Sequence, residues 1–334
     1  MGDSQSALAM ATAFITGITG QDGGYLSQRL VEEGWEVHGL VRRGGTHHRE
    51  PADPLAGVTL HDGDLDDSAG LSALLRHVAP EEIYNLGGIS SVAYSWSNPL
   101  ETVRVNALGA AAILETAWQL QQDSGRAVRV LQAGSADMFG APTVCPQTEK
   151  TALYPVSPYG AAKTFAHNLV GVYRARGLFA ANVILFNHES PRRPATFVTR
   201  KITESAARIS AGLQDTLMLG SLSSRRDWGW APDYVDAMVR AIRHRQPGNF
   251  VIATGVGHSV AEFVAAAFSQ VGISDWSAYV RSDPDLRRPV EAAELVGDAA
   301  KARVQLGWEP TVGFEELVRR MVDADVERVV NRTT

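Results

Sequence analysis

The sequence predicts an α/β fold: a doubly wound parallel sheet followed by a smaller, helix-rich C-terminal lobe. Three observations carry this. Short apolar or β-branched runs alternate with amphipathic stretches through the first half, the pattern of repeated βαβ units. A glycine-rich turn stands between the first strand and the first helix. The alternation then breaks at Pro191-Arg192-Arg193-Pro194, after which helical periodicity dominates.

Ala11–Ile15 reads as a buried strand, and Tyr25–Glu33 as a helix stopped by Gly34. Glu36–Val41 and Val58–His61 are the next strands, and Leu71–Val78 is helical. Glu82–Leu86 is a strand, Val105–Leu120 a long helix, Val128–Gln132 a strand, Tyr159–Arg176 a helix and Ala180–Phe186 a strand. In the second half, helices are expected at Phe197–Ala211, Asp233–His244, Val260–Val271 and Phe314–Val329, with a strand at Phe250–Ala253. The expected division is a dinucleotide-binding domain over 11–186 and a substrate lobe over 187–330, interleaved because segments near 225–258 return to the first sheet.

Thr16-Gly17-Ile18-Thr19-Gly20-Gln21-Asp22-Gly23 follows the first strand and precedes the first helix. Glycines there turn the chain tightly and let a pyrophosphate reach the backbone, and the helix start supplies free N–H groups. This Rossmann-like position points to a dinucleotide. A carboxylate at the end of the second strand would hold the ribose 2′-hydroxyl of NAD. Here that strand runs into Arg42 and Arg43. Guanidinium groups suit a 2′-phosphate, so NADP is the expected cofactor; without the glycine turn upstream, the pair would read as a solvated loop. Asp64 and Leu65, after the third strand, are placed against the adenine.

Composition narrows the class. Of 334 residues, 31 are Lys or Arg and 37 are Asp or Glu, a net charge of −6, with 45% apolar residues. That is a soluble globular balance, and it argues against nucleic acid or an anionic membrane as the main partner. The lone Cys145 cannot form an intramolecular disulfide or a thiolate zinc site. The acidic run Asp62–Asp67 does not have the glycine and closing glutamate of a calcium loop at their positions, and no metal site is expected. No apolar run is long enough to span a bilayer, and the N-terminus lacks a signal-peptide pattern. A cytoplasmic protein is expected. The loose acylation match at Met1-Gly2 and the sequon at Asn331 carry little weight.

Tyr159 and Lys163 stand four residues apart and share one helix face. A free tyrosine, with a pKa of about 10, is a poor base at neutral pH; a nearby ammonium favours the phenolate. Strand C-terminal ends carry chemistry in such sheets, and here the end at Gln132 leads to a hydroxyl, Ser135, and a carboxylate, Asp137. Turn-capping is the alternative role for those two.

With these motifs the chain resembles the extended short-chain dehydrogenase/reductases, and within them the GDP-mannose 4,6-dehydratases. The resemblance runs from about Thr12 to Val329; Leu185–Arg193 and Arg226-Asp227-Trp228-Gly229 separate this group from most related dehydratases and epimerases. It implies an internal redox cycle in which GDP-mannose becomes GDP-4-keto-6-deoxymannose, with Ser135, Asp137, Tyr159 and Lys163 as the catalytic set. It implies that Leu86, Gly87, Ser90, His188 and Arg193 join the cofactor site, that Asn187, Lys201, Arg226 and Arg288 hold the nucleotide sugar, and that the protein is a homodimer or homotetramer.

The chain departs from its relatives at three places. Asp137 stands where they carry Glu, one methylene shorter, with Glu149 the next carboxylate to consider. Gly44–Arg49 replaces a serine-rich loop that in relatives reaches a neighbouring subunit, and the stretch from Gln270 to Arg288 is short. Two other readings remain open here: an epimerase or dehydratase on another nucleotide sugar, and a silent NADP-binding homologue.

Overall fold

The computed structural model describes residues 10–42, 55–283, 290 and 294–333. The first half forms β1 (Thr12–Thr16), α1 (Gln21–Glu32), β2 (Glu36–Val41), β3 (Val58–Asp62), α2 (Ser68–Val78), β4 (Glu82–Asn85) and α3 (Val92–Ser97). It continues with α4 (Pro99–Val103), α5 (Gly109–Ser124), β5 (Arg129–Ala133), α6 (Pro158–Ala175) and β6 (Phe179–Leu185). The second half adds β7 (Asn187–Glu189), α7 (Val198–Ser210), β8 (Leu217–Leu219), β9 (Arg225–Trp230), α8 (Ala231–Arg243), β10 (Asn249–Ile252) and β11 (Gly257–Ser259). It closes with α9 (Val260–Gln270), β12 (Val280–Ser282), β13 (Glu294–Leu295), α10 (Ala300–Leu306) and α11 (Phe314–Thr333).

Among the described residues, seven strands make one parallel sheet in the order β10-β6-β5-β4-β1-β2-β3. Both faces of β1 are buried, as helices on both sides require. Ala13 and Ile15 pack with Leu26 and Leu30 of α1 and Tyr234 and Met238 of α8. Phe14, pointing the other way, packs with Leu75 of α2, Leu114 of α5 and Val170 of α6. The order reverses between β1 and β4, so a crevice opens above the C-terminal ends of those strands.

The second lobe is helical around Ile202 and Ala206 of α7, Phe263 and Phe268 of α9, and Leu317 and Met321 of α11. It also carries two small sheets: β11-β9-β13 with β7 paired to β9, and β12-β8. These strands are two to six residues long, too short for a period-2 signal to show. Within the stretch 225–258, α8 and β10 join the main sheet, whereas β9 and β11 pair in the lobe.

Several first-half elements differ from expectation. α1 begins at Gln21 rather than Tyr25, because Gly23 and Gly24 are poor helix formers and hide the apolar period. The long helix expected from Val105 is α5, entered through a π-helical turn at Arg104–Leu108. The fourth strand ends at Asn85, one residue before Leu86.

Candidate active site

The glycine turn is built to admit a bulky anion. Gly17 adopts φ +71°, and a Cβ there would lie 2.7 Å from the Cα of Gly87. The turn from β1 and the chain leaving β4 therefore touch backbone to backbone. The Gly20 amide donates to the Gly17 carbonyl at 2.9 Å. Gly20 then precedes α1 with no side chain to cap it, which leaves first-turn N–H groups open to a phosphate. Thr19 and Gly20 are exposed, while Gly23 is buried inside α1. Leu65 is buried, with Cδ1 against Gly87, and Asp64 is half-buried beside it. Leu86 and Ser90 line the cleft. Arg42 is exposed at the end of β2. Arg43 and Arg288 lie outside the described residues, as does the Gly44–Arg49 loop.

Gln21 and Asp22 turn away from solvent toward the second lobe. The Gln21 Nε2 donates to the carbonyl of His188 at 3.1 Å, and Oε1 accepts from the Ser190 hydroxyl at 2.8 Å. Asp22 Oδ2 sits 2.8 Å from His188 Nε2, while His188 Nδ1 meets the Phe186 carbonyl at 2.8 Å. Burial favours a neutral His188, but Asp22 outweighs it and raises the imidazole pKa. Burial likewise opposes the Asp22 charge, yet His188, with Arg193 behind it, holds that carboxyl below its usual range.

α6 delivers the tyrosine and lysine. Pro158 occupies its first turn, and the Ser157 hydroxyl caps it by accepting from the Gly160 amide at 3.0 Å. Lys163 Nζ lies 5.9 Å from the Tyr159 ring centroid and donates to the Ala133 carbonyl at 3.1 Å. Burial pushes the Lys163 pKa down to about 8, against the pull of Asp22. The Tyr159 amide donates to the Ser95 hydroxyl at 3.2 Å. The turn after β5 presses on the same helix: a Cβ on Gly160 would lie 2.6 Å from the Asp137 carbonyl oxygen. In that turn the Ser135 hydroxyl donates to Asp137 Oδ2 at 3.3 Å and accepts from the Asp137 amide at 3.2 Å. Ser135 and Asp137 thus do form a turn cap, and both also line the cleft.

Opposite stands the 187–201 segment. Asn187 opens β7, paired with Trp228 of β9. Arg193 Nε lies 3.2 Å from Glu189, and its guanidinium covers the Phe197 ring at 3.7 Å. The Thr199 hydroxyl also donates to Glu189, at 2.6 Å. Burial raises the Glu189 pKa, with Arg193 and Thr199 opposing. Lys201 Nζ donates to the Met218 carbonyl and Arg226 Nη1 to the Arg225 carbonyl, each at 2.7 Å.

One cleft of about 450 Å³ gathers Asp22, Leu86, Ser90, Ser135, Asp137, Tyr159, Lys163, Asn187, His188, Arg193, Lys201 and Arg226. Of the other described residues predicted to hold the cofactor, Gly17, Thr19, Gly20, Gln21, Gly23, Arg42, Asp64, Leu65 and Gly87 stand outside its lining. Sequence reasoning missed Glu189, although it lies in a stretch already singled out. It also missed a buried polar chain: the Gly87 amide donates to Thr16, Thr16 to Asn85, Asn85 to Gln132, and Gln132 to the Ala133 carbonyl that Lys163 also uses. Polar residues inside otherwise apolar strands were the available signal. Among the described residues no group of three or more His, Cys, Asp or Glu could hold a metal ion, and no helix is long and apolar enough to cross a membrane.

A sequence profile described as GDP-mannose 4,6 dehydratase matches residues 14–321. The GDP-mannose 4,6 dehydratase 1 of Arabidopsis thaliana is 46% identical over 336 residues, covering 98% of this chain and 92% of that one. The GDP-mannose 4,6 dehydratase of Homo sapiens is 43% identical, covering 98% and 94%. Among solved structures, a Thermus thermophilus UDP-glucose 4-epimerase in complex with NAD superposes with a TM-score of 0.81 at 25% identity, covering 94% and 98%.

Proposed function

The chain belongs to the GDP-mannose 4,6-dehydratase family, and from that premise we propose that its cleft converts GDP-mannose to GDP-4-keto-6-deoxymannose. The observation that carries this is the convergence of the Tyr159–Lys163 pair and the Asp137 carboxylate beside an uncapped, glycine-lined helix start. NADP is the cofactor, and when bound it supplies a hydride acceptor for C4 and a hydride donor for C6. Tyr159 takes the proton of the C4 hydroxyl, aided by the Lys163 ammonium. The C4 ketone acidifies C5–H; Asp137 removes that proton and passes it to the C6 hydroxyl, which leaves as water, and C5 afterwards takes a proton from solvent. Asn187, Lys201 and Arg226, with Arg288 outside the described residues, bind the nucleotide diphosphate; cationic donors suit its two phosphates. The Asp137 carboxylate favours elimination over simple epimerisation, and the intact Tyr159–Lys163 pair speaks against a silent homologue. Incubating the protein with GDP-mannose and NADP+ is expected to yield a 4-keto-6-deoxy product. Recovery of unchanged substrate, or of a C4 epimer, overturns the reading.

Arg42 at the end of β2 supports NADP over NAD. A charged hydrogen bond to the 2′-phosphate contributes about 1.5–3 kcal/mol, or roughly 10- to 140-fold in affinity. Calorimetric titration of both cofactors is expected to show that ratio; equal affinities count against the assignment.

The division into a dinucleotide domain over 11–186 and an interleaved substrate lobe over 187–330 stands as part of the same proposal. A cytoplasmic location rests on the single Cys145. A homodimer is supported by an apolar face on neighbouring helices: Leu100 and Val103 of α4, Leu108 in the π turn, and Phe165 and Val172 of α6 are all more than 40% exposed. Sedimentation velocity should find a dimer that Leu100→Glu combined with Phe165→Glu turns into a monomer. A monomeric parent chain removes the dimer; a larger assembly that survives both substitutions moves the interface elsewhere.

A further inference from the structure

We infer that Gln21 and Ser190 are positioning residues that couple the cofactor turn to the nucleotide-sugar side of the cleft, so that cofactor binding tightens the nucleotide site. The inference rests on the function proposed above and goes beyond it in assigning a role to the seam between the lobes.

Gln21 is the first residue of α1. Its amide belongs to the open helix start at which a phosphate would rest, but its side chain is buried against His188 and Ser190. Both ends of the carboxamide are used across the seam, Nε2 on the His188 carbonyl and Oε1 under the Ser190 hydroxyl. Ser190 is completely buried, and its hydroxyl oxygen also accepts the Arg192 amide at 3.1 Å, so it shapes the turn as well as tying it down. Two further contacts run in parallel. Asp22 meets His188 at 2.8 Å, and Arg192 donates to Gln28 at 3.0 Å while covering the Tyr25 ring.

The far side of the same turn is fixed to the second lobe. Arg200 Nη1 donates to the carbonyls of Pro191 at 2.7 Å and Arg193 at 3.0 Å. The Arg200 guanidinium is itself held by the buried Asp325 of α11, at 2.6 Å. The short segment 188–193 is therefore a strut pinned to α1 at one side and to α7 and α11 at the other. From this strut and the residue before it, Asn187, Glu189 and Arg193 face the cleft. An anion that orders the start of α1 orders the residue whose side chain holds the strut. The ordering cost is then met once for two ligands, which is positive coupling without a large movement.

The test uses the full chain and GDP, which binds without turnover. GDP is titrated calorimetrically with and without saturating NADP+ in the parent chain, in Ser190→Ala and in Gln21→Met. In the parent, NADP+ is expected to tighten GDP about fivefold or more. In both variants the ratio is expected to fall close to one, and in Ser190→Ala NADP+ binding on its own is retained. A purely packing role for these residues would lower the melting temperature and leave the ratio unchanged. Absence of coupling in the parent, or full coupling in Ser190→Ala, overturns the inference while the proposed substrate stands. Failure of GDP to bind in either state overturns both together. Should Gln21→Met not fold, Ser190→Ala decides alone, since it removes one oxygen.

Discussion

Tyr159→Phe is expected to abolish turnover while GDP-mannose still binds. The substitution removes one oxygen and keeps the ring. Tyr159 is buried, and Lys163 sits over its ring at 5.9 Å. The backbone contact from the Tyr159 amide to Ser95 does not involve the side chain at all. Packing and helix position are therefore preserved, and what is lost is the group that accepts the C4 hydroxyl proton. Loss of a positioned acid or base costs roughly 10²–10⁴-fold in rate, and no other tyrosine lines this cleft among the described residues. The fall should appear in kcat, with the Kd for GDP-mannose nearly unchanged, because the interaction removed is made in the transition state. Lys163 gives the same step a pH signature. Burial brings its pKa to about 8, so its ammonium is present at neutral pH and is lost as pH rises through that value. A Tyr159→Phe variant retaining most of the parent rate overturns the assignment of the base.

How far the sequence carried depended on how local each feature is. The glycine turn and the Tyr159–Lys163 pair are set by spacing along one element. A turn between strand and helix, or two side chains four apart on α6, has the same geometry wherever the fold places it. The doubly wound sheet was legible for a similar reason: β1 is apolar on both faces, which only helices on both sides permit. The use of Gln21 was not legible. A glutamine after a glycine turn reads as a cofactor contact, and only the crossing of residues 188–190 over α1 shows its carboxamide occupied by the other lobe. Glu189 was invisible for the same reason, since its partner Arg193 is near in sequence but its burial comes from β9 and α7. The π-helical turn before α5 leaves no mark in apolar periodicity, because one extra residue in a turn shifts the period by less than the scatter of the pattern.

Asp137→Asn is expected to stop dehydration, again by roughly 10²–10⁴-fold. Asn keeps the size and can still accept the Ser135 hydroxyl, so the turn that Ser135 and Asp137 form should persist. What disappears is a carboxylate able to take the C5 proton. Solvent deuterium reads that step directly. In D2O the parent chain should release a 6-deoxy product carrying deuterium at C5, whereas the variant should return GDP-mannose with none. Asp137→Glu is the companion. Glutamate adds one methylene, about 1.5 Å of reach, and the Asp137 backbone is already pressed onto α6 at Gly160. If the carboxylate merely has to reach C5, the longer arm keeps or raises the rate. If Glu abolishes the rate while Asn abolishes exchange, the sheet end is fitted to Asp, and the shorter residue is an adaptation. Undiminished product with C5 deuterium in Asp137→Asn would place the base elsewhere. Glu149 is then a poor substitute, because its Oε1 accepts the Val251 amide at 2.8 Å and it does not line the cleft. Glu189 does line it, and burial raises its pKa above the ordinary carboxylate value. Its oxygen is committed to Thr199 and Arg193, so its recruitment would require that pair to open, and Thr199→Val in the Asp137→Asn background would then change the residual rate.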